Sequence, residues 1–238
     1  VIIQPQSGLG DLVFALPQIY AHLAHGEEVT VATNHTAALF GLSSPVKTVT
    51  VEKDKTTAKL IPGAKYLRYE KYRKPFFSSY YYDTRLDLET AIKEVRLLYR
   101  LRTTERTGVP YVLYAPPRAA HRHKAHGKAA FQCSPNVKDS EAILQETCKN
   151  WNAAVNVLKC EDDIYAPGVS FEKYRAVTRC FSIPALFETI ANASAVVSQI
   201  SAITAIAGLY GVPCEYLKAE SESENLHTAH VAGVYWPA

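Results

Sequence analysis

Within its first 32 residues the chain passes from an apolar strand through a glycine loop into a helix and back to a strand. Val1-Ile2-Ile3 is apolar and β-branched, as strands are. Gln4 to Gly10 is a loop carrying Gly8 and Gly10. From Asp11 to His25, Leu12, Leu16, Ile19, Tyr20 and Leu23 recur near the helical period. Gly26 stands where a left-handed residue ends a helix. Val29 to Ala32 is a second short strand. A strand, helix and strand in this order form a βαβ unit, which implies a parallel sheet with a right-handed crossover.

The same alternation continues. His35 to Leu42 reads as a helix, Val46 to Val51 as a strand, Lys53 to Lys59 as a polar loop and Tyr66 to Tyr69 as a strand. A basic and then aromatic run follows, Lys71 to Tyr82. Leu86 to Leu101 is amphipathic, with Leu88, Ile92, Val95 and Leu98 on one face. Thr103 to Pro110 has linker punctuation in Gly108 and Pro110. Tyr111 to Tyr114 then restarts the pattern as a fresh strand. A basic loop occupies Pro116 to Lys128, a helix Asp139 to Trp151 and a strand Ala154 to Lys159. Ser182 stands as the cap of a helix over Pro184 to Asn192. Ala195 to Ser198 is a strand, Ile203 to Tyr210 a helix closed by Gly211, and Cys214 to Leu217 a final strand. The restart predicts two α/β domains, residues 1–108 and 109–238.

Composition removes several classes. Hydrophobic residues make up 47% and charged residues 21%, which suits a packed, water-soluble core. No apolar run nears the roughly 20 residues needed to span a bilayer. The opening strand lacks the charged n-region of a signal peptide, so the expected location is the cytoplasm. The five cysteines are widely spaced and form no CxxC pair, which argues against a disulfide framework or a structural zinc site. A net charge of +3 permits an anionic ligand without demanding nucleic acid.

Three segments carry chemistry. In Ser7-Gly8-Leu9-Gly10-Asp11, paired glycines let the backbone turn tightly into a helix N-terminus. The segment is not a dinucleotide fingerprint, because Val13 stands where the third glycine belongs. Asp11 has two readings: a cap that complements the helix dipole, or a base at the carboxyl end of a parallel strand. In the second segment, Ser198, Gln199, Ser201 and Thr204 cluster where a small-residue helix begins, which suits a diphosphate. In the third, Arg118, Arg122, Lys124 and Lys128 concentrate positive charge and can hold phosphate. His121, His123 and His126 share that loop, but no carboxylate or cysteine stands beside them to complete a metal site. The Lys71 to Tyr82 run, with Arg73 and Lys74, suits sugars, phosphosugars or single-stranded nucleic acid.

Ser7 to Pro17 resembles the opening GLGD…LP pattern of the lipopolysaccharide heptosyltransferases, which use ADP-heptose. Ala195 to Pro213 resembles their donor-binding strand and helix, ending in Gly-Val-Pro. Where that family carries Asp-Ser-Gly and then histidine, this sequence has Ile200-Ser201-Ala202 and Ala205. The chain is short for the family, which suggests a divergent member such as a phage-encoded one. The resemblance implies an α/β GT-B-like fold, with two Rossmann-like domains whose parallel sheets face a central cleft. It also implies an inverting, metal-independent glycosyltransferase moving a sugar from a nucleotide-diphosphate sugar to an acceptor hydroxyl. Asp11 would be the general base. Ser198, Gln199, Ser201 and Thr204 would hold the donor phosphates together with one or more of Arg118, Arg122, Lys124 or Lys128 from the basic loop. Ser7, Gly8, Gly10, Arg73 and Lys74 would lie on the acceptor side, facing a carbohydrate or phosphosugar. No cofactor or metal is expected beyond the donor itself. Two rival readings remain: a transferase acting on hydroxymethylated DNA bases, and a non-catalytic nucleotide or nucleotide-sugar binding module.

Overall fold

In a computed structural model, the described residues are all but 6–7, 43–44, 55–56, 68–86, 105–107, 119–121, 126–127, 132–136, 161–164, 200 and 218–238. They form two compact units that divide after Thr104.

The first unit runs β1 (Ile2–Pro5), α1 (Leu9–Ala24), β2 (Thr30–Ala32), a 3₁₀ helix (Thr36–Gly41), β3 (Lys47–Val49), β4 (Lys53–Asp54), β5 (Thr57–Ala58), β6 (Lys65–Leu67) and α2 (Leu88–Leu101). Its main sheet has the order β3-β2-β1-β6, and every pair in it is parallel. The βαβ reading of the opening residues is realised, with Ile2 paired to Thr30 and Ile3 to Val31. Ile3, Val31, Leu12, Leu16 and Ile19 are fully buried, so the period-2 and helical stripes converge on one core. Gly26 has φ +76°, the left-handed conformation its position required.

The second unit runs β7 (Tyr111–Tyr114), β8 (Arg122–Ala125), β9 (Lys128–Phe131), α3 (Val137–Trp151), β10 (Ala154–Cys160), β11 (Val177–Cys180), α4 (Ile183–Ala191), β12 (Ala195–Ser198), α5 (Ala202–Tyr210) and β13 (Cys214–Tyr216). Its five-stranded sheet has the order β11-β10-β7-β12-β13, again parallel throughout. The β12 strand is buried along its whole length, as a central parallel strand should be. Val112, Tyr114, Val157 and Val197 pack with Leu144 of α3 on one face. Ser182 caps α4 by accepting the Ala185 N–H, and Gly211 closes α5 at φ +69°.

Four local expectations need correction. His35 to Leu42 makes a 3₁₀ helix rather than an α-helix. Its geometry is fixed from outside: the Tyr99 hydroxyl of α2 donates to the Ala38 carbonyl. The polar stretch Lys53 to Lys59 contains the two-residue hairpin β4-β5. The basic segment Pro116 to Lys128 is not all loop, because Arg122–Ala125 pairs antiparallel with Lys128–Phe131. Finally, Val177–Cys180 is a strand that its composition did not announce. Among the described residues it is an edge strand with one partner, so its sequence need not be uniformly apolar.

Candidate functional site

In open parallel sheets, ligands bind beyond the carboxyl ends of strands at the point where the strand order reverses. Both units have such a point. In the first unit the chain moves outward from β1 through β2 to β3, then returns to place β6 on the other side of β1. In the second it moves from β7 through β10 to β11, then returns to place β12 on the other side of β7.

The glycine loop leaves β1 at the first of these points. Gly8 caps α1 in an extended conformation, φ −95° and ψ 155°. Its N–H donates to Asp11 Oδ2 at 3.0 Å, and its carbonyl accepts the Leu12 N–H at 3.2 Å. The carboxylate of half-buried Asp11 is therefore folded back onto the loop that precedes it, and the cap reading is realised. A Cβ on Gly8 would lie 2.8 Å from Asp11 Oδ2, so glycine here makes room for that carboxylate. Gly10 lies in the first turn of α1. Ser7, Arg73 and Lys74 lie outside the described residues. Behind the loop, the buried Gln4 side chain donates to the Lys59 carbonyl at 2.8 Å and accepts the Ile61 N–H at 2.9 Å. It thereby ties β1 to the segment that leads into β6.

At the second point the residues after β7 and β12 are joined by a side chain. Gln199 Oε1 accepts the Arg118 N–H at 3.1 Å. Arg118 also pairs through its backbone with Tyr165, and Ala166 N–H donates to the Pro117 carbonyl. The Tyr165 hydroxyl in turn accepts the Cys160 N–H at 2.8 Å, at the end of β10. The carboxyl ends of three adjacent strands are thus laced together. Ser201 and Thr204 form a capping box: Ser201 Oγ accepts the Ile203 N–H, and Ser201 N–H donates to Thr204 Oγ1. Ser198 Oγ donates to the Gln199 carbonyl. Ser198 and Thr204 are buried and serve the fold of the turn, whereas Arg118, Gln199 and Ser201 are half-exposed. Arg122, Lys124 and Lys128 are placed by backbone alone, on the β8-β9 hairpin.

Tyr165 was invisible in sequence, because it sits in a connection without periodicity. Tyr114 was read only as a strand residue. It ends β7 fully buried, and its hydroxyl has no hydrogen-bond partner among the described residues. Burial, then the neighbouring Tyr174 and Glu141, push its phenol above the usual tyrosine range. A cavity of about 370 Å³ lies along α3, lined by Glu141, Leu144, Gln145, Cys148, Val155, Lys173 and Tyr174. It contains none of the residues singled out from sequence. Among the described residues no group of three or more His, Cys, Asp or Glu could hold a metal ion. No helix among them is long and apolar enough to cross a membrane.

Each unit is therefore a Rossmann-like layer of parallel strands and helices, with chemistry-bearing residues at its switch point. No family model matches the sequence, and no curated protein matches it. Solved structures do share the fold. The iron-containing dodecameric glycosyltransferase TibC from enterotoxigenic E. coli H10407 is 14% identical at a TM-score of 0.51, over 90% of this chain. A glycosyl transferase family 9 protein from Veillonella parvula DSM 2008 is 11% identical at 0.51, over 90% of this chain and 78% of its own. TibC has also been solved as a heptosyltransferase in complex with ADP-D-beta-D-heptose, 12% identical at 0.50. The present chain spans 56% of the length of TibC. The fold is GT-B-like, and in fold the chain resembles the heptosyltransferases.

Proposed function

We propose that the chain is an inverting, metal-independent glycosyltransferase that takes a nucleotide-diphosphate sugar as donor. The observation that carries this reading is the placement of Asp11 and of the Arg118–Gln199–Ser201 cluster at the two switch points. In the reaction an acceptor hydroxyl oxygen attacks the anomeric carbon from the side opposite the diphosphate. The Asp11 carboxylate takes the hydroxyl proton, and the Gly8 N–H keeps that carboxylate oriented. The bond from the anomeric carbon to the diphosphate oxygen breaks, and the diphosphate leaves with the electron pair. Arg118, beside the N-terminus of α5, meets the charge that develops there. The basic β8-β9 hairpin with Arg122, Lys124 and Lys128 adds positive potential on the same connection. The acceptor is a carbohydrate or phosphosugar hydroxyl, and the structure bound to ADP-heptose among its fold relatives makes that donor the first to test.

The deciding experiment pairs Asp11→Asn with a panel of nucleotide-diphosphate sugars. Transfer should be lost in the variant while binding of nucleoside diphosphate, read by thermal shift, persists. Retained turnover in purified Asp11→Asn would refute the assignment of the base. Absence of binding to every nucleotide-diphosphate sugar in the panel would refute the donor class.

A further inference from the structure

The strands of the second unit bring together two cysteines that are distant in sequence. Cys160 ends β10 and Cys180 ends β11, and the two are register partners in the parallel ladder. Neighbouring strands lie about 4.8 Å apart, inside the roughly 4.4–6.8 Å span of Cα atoms that a disulfide joins. Both side chains emerge on one face. Val157 and Lys159 of β10 face the α3 side: Val157 packs with Leu144, and Lys159 lies over the ring of Phe171, which rests on the same cluster. Alternation along the strand then puts Cys160 on the opposite face. Cys180 lies on that face too, with its Sγ 3.8 Å from Thr189 Oγ1 of α4. Both cysteines are reduced and half-buried. β11 is an edge strand, and the next residue, Phe181, is 74% exposed, so a small reagent can reach the pair.

We propose that Cys160 and Cys180 are a redox-responsive pair that closes reversibly into a disulfide. The oxidant is a small-molecule disulfide such as oxidised glutathione. The Cys180 thiolate attacks one of its sulfurs, an S–S bond forms, and one glutathione thiolate leaves. The Cys160 thiolate then attacks Cys180 Sγ, and the second glutathione departs. The protein gives up two protons and two electrons, and the oxidant is reduced to two thiols. The product ties the outermost strand to its neighbour at the carboxyl edge of the sheet, where the Tyr165 hydroxyl already holds the Cys160 backbone. This proposal does not depend on the transferase reading.

The test treats the full chain with oxidised glutathione, quenches with acid, and counts thiols under denaturing conditions. The titre should fall from five to three, and a non-reducing peptide map should show one cross-linked peptide containing Cys160 and Cys180. Dithiothreitol should restore all five thiols. Cys160→Ser should instead accumulate a glutathione adduct on Cys180, and Cys148→Ser, on the other face of the sheet, should leave the cross-link unchanged. Stable glutathione adducts on both cysteines of the unsubstituted chain, a cross-link between any other pair, or an unchanged titre would overturn the proposal. The peptide map of the unsubstituted chain decides the matter even where Cys160→Ser does not fold.

Discussion

Gly8→Ala separates the two jobs of the opening loop. The backbone at Gly8 is extended, a conformation alanine adopts without strain. The cost is local: the new Cβ would stand 2.8 Å from Asp11 Oδ2, well inside ordinary contact distance. The atom it meets is the end of a flexible side chain, so the carboxylate swings away and the helix remains. That movement breaks the 3.0 Å bond from the Gly8 N–H. Loss of a helix cap of this kind costs about 1–2 kcal/mol, small enough for the chain to stay folded. The catalytic effect should be much larger, because displacing a reacting group by about 1 Å can lower the rate roughly 100-fold. Asp11→Asn is the complementary change. Its amide oxygen can still accept the Gly8 N–H, so stability changes by less than about 1 kcal/mol, while removal of the base lowers kcat by about 10²–10⁴. Urea denaturation measures the first quantity for each variant, and release of nucleoside diphosphate from the donor measures the second. Wild-type kcat in Gly8→Ala would refute the reasoning, because a base moved off its position cannot leave the rate untouched. A stability loss in Asp11→Asn matched by an equal loss of folded, active protein would leave Asp11 as a cap and nothing more.

Gln18 is fully buried on α1, and neither its amide nitrogen nor its amide oxygen has a partner among the described residues. Gln18→Leu should raise unfolding free energy by about 1–2 kcal/mol in urea titration; a fall of that size would show that the amide is satisfied. Gln199→Leu removes the acceptor for the Arg118 N–H and should weaken nucleoside diphosphate binding about tenfold, or 1.4 kcal/mol, with unchanged affinity counting against the cluster. Gly41→Ala would put a Cβ 2.4 Å from the ring of Tyr99, which is fully buried and held by its hydroxyl. It should destabilise the first unit by about 1–3 kcal/mol, and a calorimetric transition unchanged in temperature would contradict that packing.

Much of the architecture was legible along the chain because it depends on neighbours in sequence. The Leu12–Leu16–Ile19 stripe, the runs Val29–Ala32 and Ala195–Ser198, and the stops at Gly26 and Gly211 are local signals, and the structure uses each as such. The misread segments are those set from outside. Thr36–Gly41 is tightened by contact with Tyr99, sixty-odd positions away by its bond to Ala38. Val177–Cys180 is a strand because β10 offers it a ladder, and an edge position tolerates its mixed composition.

The same division runs through the candidate site. The sequence by itself determined that the chain is built from βαβ units, that a glycine loop delivers Asp11 at the start of a helix, and that hydroxyls gather at the start of another. Periodicity and turn chemistry are properties of a few consecutive residues, so they can be read without a structure. Strand order is not such a property. Only the tertiary structure decided that β6 and β12 return beside β1 and β7, which puts Asp11 and the Gln199–Arg118 link at switch points. Only it decided which hydroxyls are buried in the turn and that Cys160 lies beside Cys180. Those facts follow from pairing and burial between segments tens of residues apart, and no local pattern encodes which strand a ladder will accept.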